Sequence, residues 1–442
     1  MRATDWLRAR LQATPHEIAA ALWSFLYFFS LLAGYYVLRP IRDEMGLQLG
    51  ARGLQETFTA VFLSLLLLVP AFGWLNKRFP RRQLLPWLYA FFVANLLAFY
   101  AVFEAGGTQS PWVARVFFVW VSVYNLFVVS VFWSFMADLF DTGQAKRLYG
   151  FISAGGTLGA LAGPLITAGL VQLIGARLLV LVSAALLSVA IVSILRLRGW
   201  ARRADAAHPA AGNDGEQQAL KGSIWSGLLD VLRSAYLASI CLFLFSYALL
   251  STFLYFLTAE WLPKTIADSA ARTQLLAQID LAVNVLTLLL QLFVFKRLIT
   301  SRHGTRLSLC LLPAVSVAGF LALAAFPVVS VLVAFGVLRR SGEYALSKPA
   351  RETLFNVLPP EQKYKAKNVI DTLVHRSGDV VSAWIFGGLR SLGVGSVQIA
   401  WLCVPIALAW LAIALSLGRQ AERRQAAEAS PGPAPTSVPA HG

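Results

Sequence analysis

FISAGGTLGALAGPLITAGLVQL (residues 151–173) and LLVLVSAALLSVAIVSIL (residues 178–195) follow one another almost directly, and Arg177 is the only charge between Phe151 and Leu195. About 30 Å of hydrocarbon, at 1.5 Å of rise per residue, is crossed by roughly 20 apolar residues in a helix. The stretch therefore reads as two successive membrane spans. The reading extends outward in both directions. Upstream, Ala19–Leu38, Thr57–Asn76, Gln83–Phe103 and Val116–Ala137 are uncharged runs of the same kind. Downstream, beyond a polar segment from Arg196 to about Gly222, come Ser234–Ala259, Gln274–Phe295, Leu307–Phe326, Val328–Leu346, Val369–Leu389 and Val397–Leu417.

Composition agrees. Of 442 residues, 57% are hydrophobic and 14% charged, and mean hydropathy is +0.65. Soluble domains carry roughly 25% charged residues. The apolar share, 57% of 442 or about 252 residues, would fill roughly twelve spans. Soluble multidomain enzymes, disordered scaffolds and secreted disulfide proteins are excluded. Cys241, Cys310 and Cys403 each stand alone in an apolar run and form no disulfide framework.

Net charge is +16, and its placement orients the chain. Thirty Lys and Arg fall on the side of the termini and of the 2–3, 4–5, 6–7, 8–9 and 10–11 connections, counting those that enter the tenth and eleventh spans. The other side has eight: Arg39, Arg42, Arg52, Arg115, Arg177, Lys264, Arg272 and Arg390. By the positive-inside rule both termini are cytoplasmic. Tyr35–Leu38 precedes Tyr255–Thr258 by 220 residues, and Asp138-Leu139-Phe140 precedes Asn356-Val357-Leu358 by 218. That offset predicts a six-plus-six parallel repeat with a cavity near the midplane. The expected organisation is a six-helix bundle over residues 1–195, a cytoplasmic linker over 196–232, a second bundle over 233–418 and a disordered tail over 419–442. The chain is expected to be a monomer in the cell (inner) membrane.

Charges at membrane depth mark function, because they are costly there. Arg339 lies eleven residues into the tenth span, roughly 16 Å deep. Arg340 follows, and Glu343 is placed at i+4 from Arg339. Paired guanidiniums suit phosphate geometry; a structural ion pair is the plainer alternative. Asp371, His375 and Asp379 share one face of the eleventh span, with Arg376 beside them. Arg39 and Arg42 close the first span after Tyr35 and Tyr36, where interfacial snorkelling is the alternative. Asp280 and Asn284 share a face of the eighth. In the fifth, Gly155, Gly156, Gly159 and Gly163 point to close helix packing more than to a transport motif. The 2–3 loop, Gly73 to Arg82, resembles the major facilitator gate loop, with Lys77 where Asp is usual. No phosphate-binding loop, His-Glu-x-x-His or nucleophile elbow is present, which points away from an enzyme, and His and Cys are too few for a metal or cofactor site. Any transport is expected to be secondary.

Three segments carry a resemblance. Leu38-Arg39-Pro40-Ile41-Arg42-Asp43 closes the first span. Phe132-Trp133 is followed by Gln144-Ala145-Lys146-Arg147-Leu148-Tyr149. The third segment holds Tyr344, Pro349-Ala350-Arg351-Glu352, Lys363, Lys365, Lys367, Ile370-Asp371 and Arg376-Ser377-Gly378. Together they resemble the ATP/ADP antiporter (nucleotide translocase) family of plastids and intracellular bacteria, a divergent branch of the major facilitators. The resemblance implies an all-α membrane protein with twelve transmembrane helices, in the major facilitator fold of two six-helix bundles, exchanging nucleotides without hydrolysis. Arg39, Arg42, Arg339, Arg340 and Arg376 would bind phosphates, with Tyr35, Tyr36 and Tyr124 against the base. Asp138, Lys146, Arg147, Asp280, Glu343, Arg351, Glu352, Lys365, Lys367, Asp371 and Asp379 would gate or couple. Unneutralised arginines would strain the empty carrier and favour exchange. The expected partners are a nucleotide or other anionic small molecule and the lipid bilayer, with no nucleic acid. Two other functions fit the residues: a facilitator of another solute, such as an organic phosphate or a proton-coupled drug or metabolite, and a non-transporting scaffold or sensor.

Overall fold

The structure, a computed structural model, describes residues 11–78, 81–207, 234–301, 303–356, 358, 367, 370 and 374–429. They are helical, with no strand among the described residues. The helices are α1 (Pro15–Gln48), α2 (Gly50–Arg78), α3 (Arg81–Glu104), α4 (Pro111–Leu139), α5 (Thr142–Ala207), α6 (Ala235–Thr265), α7 (Ser269–Leu290), α8 (Gly304–Ala325), α9 (Val329–Gly342), α10 (Lys348–Leu354), α11 (His375–Ser391) and α12 (Ser396–Ala429). A π segment, Gln291–Phe295, carries α7 on into Lys296–Ile299, and another, Glu343–Ser347, joins α9 to α10.

Each predicted span falls on described helix, although Val369–Leu389 is described continuously only from Val374. Nine helices among the described residues are long and apolar enough to cross a membrane. One of them, α5, holds both spans quoted at the outset, broken at Gly175, whose φ of 72° and ψ of 168° are not helical. Glycine takes that conformation at little steric cost. The tenth span is not among the nine because its regular helix, α9, is only 14 residues long; α11, at 17, is also short. Prolines sit inside α1, α2, α3, α5, α6, α8 and α12, which spanning helices tolerate where neighbours satisfy the freed backbone groups.

Two ends run further than the sequence suggests. The helix of α5 continues past Leu195 to Ala207, with Trp200 Nε1 donating to the His16 carbonyl at 2.9 Å and its ring stacked on the imidazole. The rest of the linker, up to residue 233, lies outside the described residues. The last helix does not stop at Leu417, since residues 419–429 are Ala, Gln, Glu and Arg, all strong helix formers. Glu422 pairs with His303 at 3.2 Å and Arg306 at 3.8 Å, and Arg424 lies 4.2 Å over the Tyr236 ring. The expected disordered tail is therefore helix as far as Ala429.

The chain divides into two compact units. One comprises Met1–Gln217 with Phe256–Val285, the other Gln218–Tyr255 with Leu286–Gly442. In the first, α1 is central. Tyr27 donates to Tyr89 at 2.7 Å, and Phe28 stacks on Phe132 at 4.2 Å. The glycines of α5 admit α1 closely: a Cβ on Gly155 or Gly159 would lie 2.5 and 2.4 Å from the Phe25 and Phe29 carbonyl oxygens. Thr167 and Ser183 donate to the Val37 and Gly34 carbonyls of the same helix at 3.2 and 3.0 Å. These are the small-residue contacts by which helices associate in lipid. In the second unit, α8 packs along α12, and Trp410 is fully buried against Phe243. Large apolar side chains such as Leu67, Trp87 and Leu173 point outward, as lipid-facing surfaces require.

Candidate functional site

The charged side chains buried in or beside the spans gather into one cluster in each unit. In the first, the C-terminal turns of α1 run antiparallel to α7. Glu44 and Arg272, both buried, form a multiply bonded pair: Arg272 Nε donates to the two carboxylate oxygens at 3.0 and 2.9 Å, and Nη2 to Oε1 at 2.6 Å. Arg272 Nη1 donates to the Ile266 and Ala267 carbonyls, both at 2.8 Å, and Ser269 Oγ donates to Glu44 at 2.9 Å. Two turns along α7, the buried Asp280 lies 3.6 Å from Arg39 Nε. Asp43 lies 3.9 Å from the same nitrogen and accepts from Arg42 at 3.0 and 2.5 Å. Asn284 donates to the Ala160 carbonyl at 2.6 Å and Gln274 to that of Ala168 at 2.8 Å, so α7 is also tied to α5. These bonds explain why residues 256–285 group with the first unit.

Arg39, Arg42 and Arg272 thus face Asp43, Glu44 and Asp280, and the cluster is formally neutral. The expectation of unneutralised arginines straining the empty protein does not hold here: every guanidinium has a carboxylate within 4 Å. Tyr35 and Tyr36 stand one turn away with rings 5.2 Å apart, and the Arg39 guanidinium lies 5.7 Å from the Tyr36 centroid. Tyr124 is fully buried in the aromatic core, stacked on Trp120 and edge-on to Phe92.

In the second unit Arg339 is 5% exposed. Its Nη2 donates to Ser251 Oγ at 2.9 Å, and its guanidinium lies 5.6 Å from the Tyr247 centroid. Tyr247 and Ser251 are one turn apart on α6. No carboxylate lies within 4 Å of Arg339 among the described residues, and its Nε and Nη1 are buried without a hydrogen-bond partner there. Glu343 does not pair with Arg339 as its i+4 position suggests. Its carboxylate lies 3.4 Å from Arg351, which is 5% exposed. The π segment that begins at Glu343 brings Arg351 into reach: its wider turn absorbs one extra residue, so a partner at i+8 falls where i+7 would in an α-helix.

The remaining predicted residues lie apart from these clusters or at their margins. Arg340 and Asp379 are part-buried, while Arg376 is exposed on the first turn of α11. Asp138 and Lys146 are exposed at the α4–α5 turn. Arg147 donates to Glu17 at 2.9 Å and to the Gln12 carbonyl, bracing the capped start of α1. Lys367 pairs with Glu352. Lys365 and Asp371 lie outside the described residues, and so does Lys363. Sequence reading omitted Glu44, Arg272, Ser269, Tyr247 and Ser251 from the site. Glu44, next to Asp43, and Arg272 carried a signal, charges within six residues of span ends on the sparsely charged side; the two α6 hydroxyls carried none.

The Major Facilitator Superfamily sequence model matches residues 18–342. No curated protein sequence matches the chain significantly. Among solved structures, a mutant of the nucleoside transporter NupG is similar at 12% identity, over 92% of this chain and 99% of that one, with a TM-score of 0.58. A bacterial homologue of the iron transporter ferroportin, in an inward-facing state, gives 17% identity, 93% and 100% coverage and a TM-score of 0.62. A bacterial homologue of the human lysosomal transporter Spinster, inward-facing and unoccupied, gives 15%, 96% and 100%, and 0.53.

Proposed function

The chain belongs to the Major Facilitator Superfamily and is a membrane transporter of that fold, and from that premise we propose that it carries a phosphorylated organic anion, exchanging nucleotides of the ATP/ADP kind across the cell membrane. One observation carries the choice of an anion: Arg339, buried at membrane depth, keeps two guanidinium nitrogens unpartnered and no carboxylate within 4 Å among the described residues. A buried cation with no carboxylate in contact is expensive. An anion that regularly visits it offsets that expense, and a guanidinium flanked by a hydroxyl and an aromatic ring suits a phosphate.

The first unit gives exchange a physical basis other than repulsion. Asp280 and Asp43 already lie within 4 Å of Arg39 and offset its charge. A substrate phosphate that claims Arg39 must displace a carboxylate, and doing so loosens the α1–α7 pairing. Binding and rearrangement are then one event, and the substrate's differential affinity for the two arrangements supplies the bias. Arg39, Arg42, Tyr35, Tyr36, Arg340 and Arg376 would complete recognition, with both termini cytoplasmic.

The test is counterflow. Proteoliposomes loaded with labelled ATP are expected to lose label faster when ADP is added outside, and Arg339→Ala is expected to abolish the acceleration in protein that remains folded. Efflux that ignores external nucleotide and organic phosphates but follows a proton gradient would instead favour the second reading, a proton-coupled carrier of another solute. The buried Glu343, whose Oε2 has no partner among the described residues, is the observation in its favour.

A further inference from the structure

In the first unit, α2 and α4 enclose a groove of about 600 Å³, within the range of small-molecule sites. Its walls are apolar along most of their length, with Ala60, Leu68, Val116 and Val123 among them. Leu68 and Val116 are 41% and 55% exposed, and both lie within helices long and apolar enough to span a bilayer. An exposed, apolar opening on spanning helices suits hydrocarbon better than water. From Glu56 to Leu68 it follows twelve residues of α2, roughly 18 Å of helix. One leaflet of hydrocarbon is about 15 Å deep, half of a 30 Å core.

Charge is confined to one end. Arg115 Nη2 donates to Glu56 at 2.9 Å, and Arg52, almost wholly exposed, reaches the same carboxylate at 3.6 Å. Two guanidiniums around one carboxylate leave a charge of +1 beside that end, with Arg52 outside the lining. The exposed Trp112 lies there too, its ring under the Arg115 guanidinium at 5.3 Å, an amphipathic side chain of the kind found at the headgroup level.

We propose that this groove is a binding site for one anionic phospholipid, with an acyl chain laid along α2 and α4 and the phosphate on Arg115. Each part of the ligand has its counterpart. The monoanionic headgroup meets the single surplus positive charge, its phosphate oxygens accept from guanidinium donors, and the chain matches the length and apolarity of the walls. A polar transport substrate matches neither the walls nor the apolar opening.

Native mass spectrometry of the full-length, detergent-purified protein tests this with two probes of identical acyl chains, phosphatidylglycerol and phosphatidylcholine. One phosphatidylglycerol is expected to be retained per chain, about tenfold more strongly than phosphatidylcholine, whose phosphate is the same but whose choline cation is repelled by the surplus positive charge. Arg115→Gln is expected to erase that preference, and Ala60→Phe, which fills the groove from an exposed position, to remove retention of both lipids. Wild-type protein that retains both lipids equally overturns the proposal without recourse to any variant. So does phosphatidylglycerol selectivity that survives Arg115→Gln, and so does retention that survives Ala60→Phe.

Discussion

Arg272 and Arg339 are both buried guanidiniums, yet their surroundings assign them different work. Arg272 is saturated: its Nε, Nη1 and Nη2 all donate, and its partner Glu44 is 2% exposed. Removing one member of such a pair strands the other's charge and costs about 3–5 kcal/mol, whereas replacing both by apolar groups is often neutral. Arg272→Met alone is therefore expected to lower the unfolding temperature in detergent sharply, and Glu44→Leu with Arg272→Met to recover most of the loss. Asp280 sits more loosely, 3.6 Å from Arg39. If a substrate phosphate competes with it, Asp280→Asn is expected to tighten nucleotide binding by about tenfold, the scale of a charge-assisted hydrogen bond. Equilibrium binding to the detergent-solubilised variant reads this directly; unchanged or weaker binding would count against competition at Arg39.

Among the elements, α5 shows most clearly how local composition becomes packing. Four of its glycines face α1, and there even a methyl group meets backbone: a Cβ at Gly159 would lie 2.4 Å from the Phe29 carbonyl oxygen and one at Gly163 2.6 Å from that of Ala33. Overpacking costs about 1–3 kcal/mol and sometimes more. Gly159→Leu is expected to reduce the monodisperse fraction and the unfolding temperature, while Gly169→Ala on the same helix, with nothing within 4 Å of its Cβ, is expected to leave both unchanged. The sequence supported the packing reading of these glycines because their spacing keeps them on one face. The junction of α9 and α10 was not legible in the same way. The i+4 rule pairs Arg339 with Glu343, but a π turn depends on how several neighbouring helices press on the segment, and it handed Glu343 to Arg351 instead.

At the scale of the molecule, hydrophobic run length and the thirty-to-eight split of basic residues predict a topology with both termini and the 196–232 linker in the cytoplasm. With Cys241, Cys310 and Cys403 replaced, single cysteines at Asn213 and Lys264 are expected to react with a membrane-impermeant maleimide from opposite faces. Labelling of both from one face would overturn that topology. The unit boundary is a separate matter. The sequence repeat divides the chain near residue 196, whereas its contacts place 256–285 with the first unit, through Glu44–Arg272, Arg39–Asp280 and the Asn284 and Gln274 amides on α5.

What the sequence determined by itself was the helical membrane fold and its spans, because a bilayer demands runs of about 20 apolar residues and these leave an unmistakable one-dimensional trace. It also determined that Arg39, Asp280, Arg339 and Glu343 had to be accounted for, since charge at membrane depth is rare and costly. Only the tertiary structure decided which charge faces which. Arg39 meets an acid 241 positions away and Arg272 one 228 positions away, while Arg339 finds a hydroxyl and a ring on α6. Pairing at such separations depends on the rotation of each helix about its axis and on how far it slides along its neighbour. Those two quantities are set by side-chain packing, and no periodicity within a single span encodes them.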